Sequence, residues 1–384
     1  MNREHPIYVH SDFDGGNIIV RDILADNQGR ANLTLSIAPD NQSDYFQWFY
    51  FRLTGVRDRE LSIRIVDCDK AAYPEGWTDY QPVISHDRLT WRRTHAQYED
   101  GALCFTITPE SDSVWIAYFA PYSMERHHDL IARCARSPLV TLHDLGVSLD
   151  GQAMDCLQVG MPSQEKKTCW MIARQHPGET MAEWWMEGML DRLLDPHDPV
   201  SRGLLEKGVF YIVPNMCPDG ARRGHLRTNA AGVNLNREWH APSPERSPEV
   251  YHVLKAMHET GVDFCLDVHG DEALPYNFIA GFDGIPDVDP IMLDRLDAYK
   301  QALLRHSPDF QTRKGYDVDA PGKANMSMCT NAVAHGFRAL AMTLEMPFKD
   351  TVDHPDLVSG WSPDRSRHLG RACLSALLDV MDKL

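Results

Sequence analysis

The sequence predicts an α/β protein in two parts, an N-terminal antiparallel β-sandwich followed by a larger α/β unit. Three observations carry this: apolar and polar residues alternate with period two through the first third, the pattern turns to strand, loop, helix downstream, and the later strands are apolar almost without interruption. The alternating segments are Ala31–Ile37, Gln47–Leu53, Leu61–Val66 and Leu103–Thr108, rich in aromatic and β-branched residues that fit a half-buried pleated surface. Pro and Ser in Ala120-Pro-Tyr-Ser123 break the pattern and a helical stretch follows, so the boundary falls near residue 125, giving units 1–125 and 126–384.

From residue 168 the elements follow in turn. Thr168–Ala173 reads as a strand, and the helix after it carries an apolar stripe of Ala182, Trp185, Met186, Met189 and Leu193. Val209–Val213, Phe264–Val268 and Ala339–Leu344 are short strands apolar enough to be covered by helices on both faces. Ser247-Pro248 and Ser362-Pro363 each place an N-cap residue before a proline in the first turn, and Gly261 stops the first of these helices.

Composition narrows the function. The 384 residues carry 38 Lys+Arg against 55 Asp+Glu, a formal net charge of −17 that repels phosphate backbones, so no nucleic-acid partner is expected. No apolar run approaches the roughly 18–20 residues of a membrane span, and no membrane partner is expected either. The N-terminus MNREHPIYVHSDFDGG has no apolar leader, which sets the cytoplasm as the expected location. Nine Cys without CxxC spacing read as reduced, mostly buried thiols.

The chemistry-bearing residues follow the predicted strands, where open α/β sheets place ligands. His176-Pro-Gly-Glu179 follows the first of them, and a His and a carboxylate three apart can reach one metal ion. His269, after Phe264–Val268, is a candidate third ligand. The HxxE pattern alone is weak among 18 His, and His269-Gly-Asp-Glu272 is a second instance, which makes Glu272 a competitor of Glu179. Arg222, Arg223, Arg227 and Arg237 fall in one loop region of an acidic chain; planar guanidinium groups suit carboxylate capture, although Arg222 and Arg223 read better as solvated cations. Glu345, after Ala339–Leu344, is a candidate general base or a salt-bridged structural carboxylate.

Taken in order, His176-Pro-Gly-Glu179, Asn215-x-x-Pro-Asp-Gly220, Arg227, Asn234-Leu-Asn-Arg237, Asp267-Val-His269-Gly and Thr343-Leu-Glu345 resemble the zinc metallocarboxypeptidase superfamily, in its cytosolic carboxypeptidase-like branch. Asp44-Tyr-Phe-Gln-Trp-Phe-Tyr-Phe51 and Tyr118-Phe-Ala-Pro-Tyr122 resemble the sandwich domain that precedes the catalytic domain in that branch. The resemblance implies an α/β/α catalytic domain with a mixed, mostly parallel sheet. It also implies one zinc ion per chain on His176, Glu179 and His269, with Glu345 as general base and Arg227 at the oxyanion. Asn236 and Arg237 would bind the terminal carboxylate of a peptide or protein tail.

The implied activity is removal of C-terminal residues, with acidic ones as a candidate preference. Lys323 and Arg338 are candidate contacts for such a side chain but read first as surface cations. A small-molecule amidohydrolase of the aspartoacylase-like kind and a non-catalytic peptide-binding protein are the alternatives. The aromatic sandwich favours the peptide over the first, and retention of all ligands with Glu345 disfavours the second. Two departures stand out. Asn234 replaces the superfamily's Asp beside a ligand His, and Pro321-Gly-Lys-Ala-Asn-Met326 lacks the substrate-capping Tyr of the pancreatic enzymes, so no Tyr is given that role.

Overall fold

The computed structural model describes residues 6–26 and 30–384; Met1–His5, part of the segment read above as carrying no leader, lies outside them. The strands of the first third are β1 (Tyr8–His10), β2 (Ile19–Ala25), β3 (Ala31–Ser36), β4 (Tyr50–Thr54), β5 (Leu61–Val66), β6 (Val83–Ser85), β7 (Arg92–Arg93), β8 (Ala96–Glu99), β9 (Ala102–Ile107) and β10 (Ser113–Ala117). They form two five-stranded sheets, ordered β1-β4-β10-β6-β7 and β2-β3-β5-β9-β8. All pairs are antiparallel except β3 with β5, which run parallel. Alternation delivers the core: Leu33, Leu35, Leu61, Ile63 and Ile65 point inward while Asn32 and Arg64 face water. The strand expected from Gln47 begins only at Tyr50, because the Gln47 side chain is occupied in tying loops together. Its amide donates to Tyr73 O and Tyr118 Oη and accepts the Tyr73 N–H.

The second part contains β11 (Val140–Val147), β12 (Ala153–Val159), β13 (Lys167–Ala173), β14 (Gly208–Val213), β15 (Phe264–Asp271), β16 (Phe278–Ala280) and β17 (Leu340–Pro347). Their order is β11-β12-β14-β13-β15-β17-β16, with the four central strands parallel and both margins antiparallel. The helices are α1 (Met124–Ala135), α2 (Met181–Leu193), α3 (Pro199–Lys207), α4 (Pro218–Arg223), α5 (Pro248–Thr260), α6 (Pro290–His306), α7 (Cys329–Phe337) and α8 (Pro363–Val380). Helices α2, α3, α6 and α8 pack together as one layer, giving the α/β/α arrangement. Among the described residues no helix is long and apolar enough to cross a membrane.

Helix α2 departs from a one-faced amphipathic helix: it is buried from Met181 through Leu190, two glutamates included. Glu183 is met by Arg174 at 2.7 Å and His127 at 2.6 Å, and Glu187 by Arg126, Arg367 and the Tyr122 hydroxyl. Buried charge is tolerable only when paired in this way. At the predicted caps, Ser362 accepts the Arg365 N–H at the start of α8. Ser247 does not cap α5, since its hydroxyl is turned to Glu238. All nine cysteines are free thiols and eight are buried.

Glu249, in the first turn of α5, is fully buried, met by its own backbone N–H and by the neutral Asn229 amide at 3.3 Å. Burial pushes its carboxyl from 4.5 up to about 7. The folded state therefore holds this proton more tightly than the unfolded chain. The associated stabilisation, roughly 3 kcal/mol, is complete below pH 4.5 and lost as pH rises through 7. Glu249→Gln is expected to remove that loss. Chemical denaturation at pH 5 and pH 8 measures it, as a gap between variant and wild type that opens in favour of the variant at the higher pH.

Candidate active site

The site is built where β13, β15 and β17 end side by side. After β13 the chain turns sharply through Arg174, whose φ of 58° lies in the left-handed region and costs a non-glycine residue about 1–2 kcal/mol. Three hydrogen bonds from its guanidinium hold the turn, to Pro177 O, Tyr122 O and Glu183. Gly178 permits the next contact, since a Cβ there would stand 2.8 Å from Leu226 O. His176 and Glu179 are thereby directed inward at the start of α2. His269 and Glu345 were expected just beyond their strands but lie inside them, as register partners of the parallel pair β15/β17. Adjacent register partners point to the same side of a sheet, which places Glu345 next to the ligand histidine.

Nδ1 of His176 stands 2.6 Å from Glu179 Oε1, Nδ1 of His269 stands 2.8 Å from Glu179 Oε2, and the two nitrogens are 3.2 Å apart. Two nitrogens about 2.0–2.1 Å from one tetrahedral zinc would be about 3.3 Å apart, so the spacing fits the ion. The opposite ring nitrogens are engaged elsewhere, His176 Nε2 with Asn234 Oδ1 at 3.0 Å and His269 Nε2 with Asp267 Oδ2 at 2.9 Å. With those positions donating, each Nδ1 can turn a lone pair toward the carboxylate, and a cation satisfies such a convergence of acceptors.

Charge follows the same logic. Burial and Arg227 push His176 down to about 3, leaving a neutral ring. Burial opposes ionisation of Glu179, and positive charge on its histidine side is what lowers the carboxyl below the usual range. His176, Glu179 and His269 form a buried set of ligand atoms all within 4.8 Å of one another. Glu272, the competing ligand, is not part of it.

A cavity of about 490 Å³ opens over the triad, and Glu345, Arg227, Asn236 and Arg237 all line it. Burial drives the Glu345 carboxyl well above the ordinary range, Glu179 adding to the effect and His269 opposing it. Its Oε2 is buried without a hydrogen-bond partner, and no ion pair holds it among the described residues, which removes the salt-bridged reading. Lys349, its basic neighbour in sequence, is instead bound to Thr78 O at 2.8 Å.

Arg227 is positioned by the N-terminal part of the chain. Asp40 accepts the N–H groups of Leu226, Arg227 and Thr228 and the Thr228 hydroxyl, and the guanidinium lies 5.3 Å from the Tyr73 ring and 5.9 Å from the Tyr45 ring. Its Nη1 is 3.8 Å from Glu179. Asn234 caps a single 3-10 turn, Leu235–Arg237, that presents the next pair. Asn236 Oδ1 accepts the Cys329 N–H, leaving its amide nitrogen for a ligand, and Arg237 is exposed.

Other candidates fall away from the cavity. Arg223 pairs with Asp150 at 2.7 Å, Arg338 with Asp289, and Lys323 is exposed. Tyr316 is the residue that sequence reasoning missed. It lies upstream of the segment searched for a tyrosine, yet its hydroxyl is 2.6 Å from Asp271 and 3.2 Å from Glu345. Nothing in the exposed run around it marks it as special; the contact is long-range.

Fold and triad together define a mononuclear metallohydrolase on an α/β/α scaffold. Residues 9–119 match the family model of the cytosolic carboxypeptidase N-terminal domain and residues 128–350 that of the zinc carboxypeptidases. An uncharacterized protein of Zymomonas mobilis is 53% identical, over 98% of this chain and 97% of its own length. The crystal structure of a metallo-carboxypeptidase from Burkholderia cenocepacia is 42% identical with a TM-score of 0.95, covering 99% of this chain and 100% of that one. Mouse cytosolic carboxypeptidase 4 is 29% identical over 71% of this chain, which spans only 28% of its length. The chain belongs to the zinc carboxypeptidase family. It is a zinc-dependent exopeptidase that cleaves C-terminal peptide bonds, with one zinc site formed by the His-Glu-His triad.

Proposed function

We propose that the chain removes C-terminal residues from peptides or protein tails with His176, Glu179 and His269 as the zinc ligands and Glu345 as the proton carrier. The observation that carries this is the convergence of both Nδ1 atoms on the Glu179 carboxylate, with Glu345 beside His269 in register. When bound, zinc supplies Lewis-acid polarisation of the scissile carbonyl and a lowered pKa for water. Glu345 takes a proton from the attacking water and later delivers it to the leaving amine, a role served by its raised proton affinity. Arg227, held by Asp40, donates to the developing oxyanion. Asn236 and Arg237 bind the free α-carboxylate, which makes the enzyme an exopeptidase. Tyr316 donates its hydroxyl at the same wall.

The proposal extends to organisation. The strands of the two N-terminal sheets all end by Ala117 and the seven-stranded sheet begins at Val140, which supports units 1–125 and 126–384. The N-terminal family match supports the cytosolic carboxypeptidase-like branch and, with it, a cytoplasmic place of action. Preference for an acidic C-terminal residue has little support. The Lys and Arg side chains lining the cavity are Arg227 and Arg237, and both have other work.

Amidating the C-terminus of a good peptide is expected to abolish cleavage, because the guanidinium then faces a neutral group. Arg237→Lys is expected to be a poor enzyme on the free peptide, since an ammonium lacks the planar fork. Equal cleavage of free and amidated peptides would move the reading to an amidohydrolase. Matched peptides ending in Glu and Leu test the acidic preference in the same assay.

A further inference from the structure

The reaction as derived leaves two carboxylates of the cavity, Glu272 and Glu75, without a use. Glu272 is 6% exposed and lines the same cavity as the metal triad. Among the described residues no other side chain donates a hydrogen bond to its carboxylate, which has only its own backbone N–H and the nearby charge of Arg227 to compensate it. Three other acidic side chains there are engaged. Glu179 lies between two histidines, Glu345 is poised for proton transfer, and Asp271 accepts the Tyr316 hydroxyl and the N–H groups of Ala273 and Leu274. Arg227, the cation facing this side, is 3.8 Å from Glu179, is framed by Tyr73 and Tyr45, and divides its charge between Glu272 and Glu179.

The N-terminal unit is pressed directly against this residue. A Cβ at Gly76 would stand 2.9 Å from Glu272 O and 3.1 Å from Glu272 Cβ, and the neighbouring Glu75 lines the same cavity. A carboxylate withdrawn from water with so little to compensate it is unfavourable, and a bound cation would offset that. Five acidic side chains and two guanidinium groups line the cavity, so acidic groups outnumber cationic ones along its wall.

We propose that Glu272, assisted by Glu75, is a specificity-determining residue that receives an ammonium or guanidinium group of the peptide substrate. This rests on the carboxypeptidase reading above. The cation has two sources, a Lys or Arg side chain near the scissile bond or the free α-amino group of a dipeptide.

The test uses the nearly isosteric Glu272→Gln in the full zinc-loaded chain. Substrates are acetylated tripeptides ending in Leu with Lys or Gln before it, acetylated tripeptides ending in Lys or Leu, and one dipeptide with free and with acetylated N-terminus. A charge-assisted hydrogen bond predicts that wild type prefers the cationic member of at least one pair by about tenfold or more in kcat/KM. Glu272→Gln brings that ratio close to one, and the responding pair identifies the source. Calorimetric binding of the same pairs to Glu345→Gln, with and without Glu272→Gln, reads the preference without turnover. Should no peptide be hydrolysed, the carboxypeptidase reading fails while this binding comparison still decides. Absence of any cation preference, or its persistence in Glu272→Gln, overturns the proposal.

Discussion

Glu345→Gln is expected to fold and to hold zinc as the wild type does, and to turn over peptides at least about a hundredfold more slowly, the lower range for loss of a general acid–base group. The side chain carries no structural ion pair, and its Oε2 is already without a hydrogen bond, so an amide of the same shape disturbs little. What the amide cannot do is take a proton. Removing a carboxylate that burial already disfavours should, if anything, raise thermal stability. Metal content, melting temperature and kcat measured together separate these effects. Near wild-type turnover in a zinc-replete variant would take Glu345 out of the mechanism.

Glu179→Ala is expected to lose the metal. Its two oxygens meet both histidine Nδ1 atoms, so truncation removes one ligand and the charge that binds the ion. The loss in zinc affinity should exceed the roughly 10–100-fold that follows removal of an outer partner of a ligand. Asn234→Ala, which takes away the acceptor at His176 Nε2, gives that smaller loss for comparison. Glu272→Ala should keep its zinc, since Glu272 stands outside the ligand set. Metal analysis after dialysis against a weak chelator orders the three variants. Full retention by Glu179→Ala would sink the assignment.

Much of this protein was legible in the amino-acid order because its signals are local. Alternation in Leu61–Val66 fixes which face of the strand is buried, and the observed strand has those bounds. Ser362-Pro363 marks a helix start through groups three residues apart, and His176 and Glu179 approach one metal because one turn separates them. The same logic failed where a distant partner intervened. Ser247 should cap α5, but Glu238 takes its hydroxyl. The apolar stripe of α2 said nothing of the arginines that let Glu183 and Glu187 be buried.

The sequence by itself determined the two-part α/β order, the His176–Glu179 pair and the candidacy of His269, Arg227, Arg237 and Glu345, since each follows from residue type and short spacing. Only the tertiary structure decided among them. The register of β15 against β17 sets Glu345 beside His269, and the meeting of both Nδ1 atoms on Glu179 excludes Glu272 as a ligand. Asp40, 187 residues away, holds the Arg227 backbone, and Tyr316 reaches Asp271 from an otherwise exposed segment. These are choices among partners far apart in the chain, made by strand register and packing rather than by any pattern within a few residues.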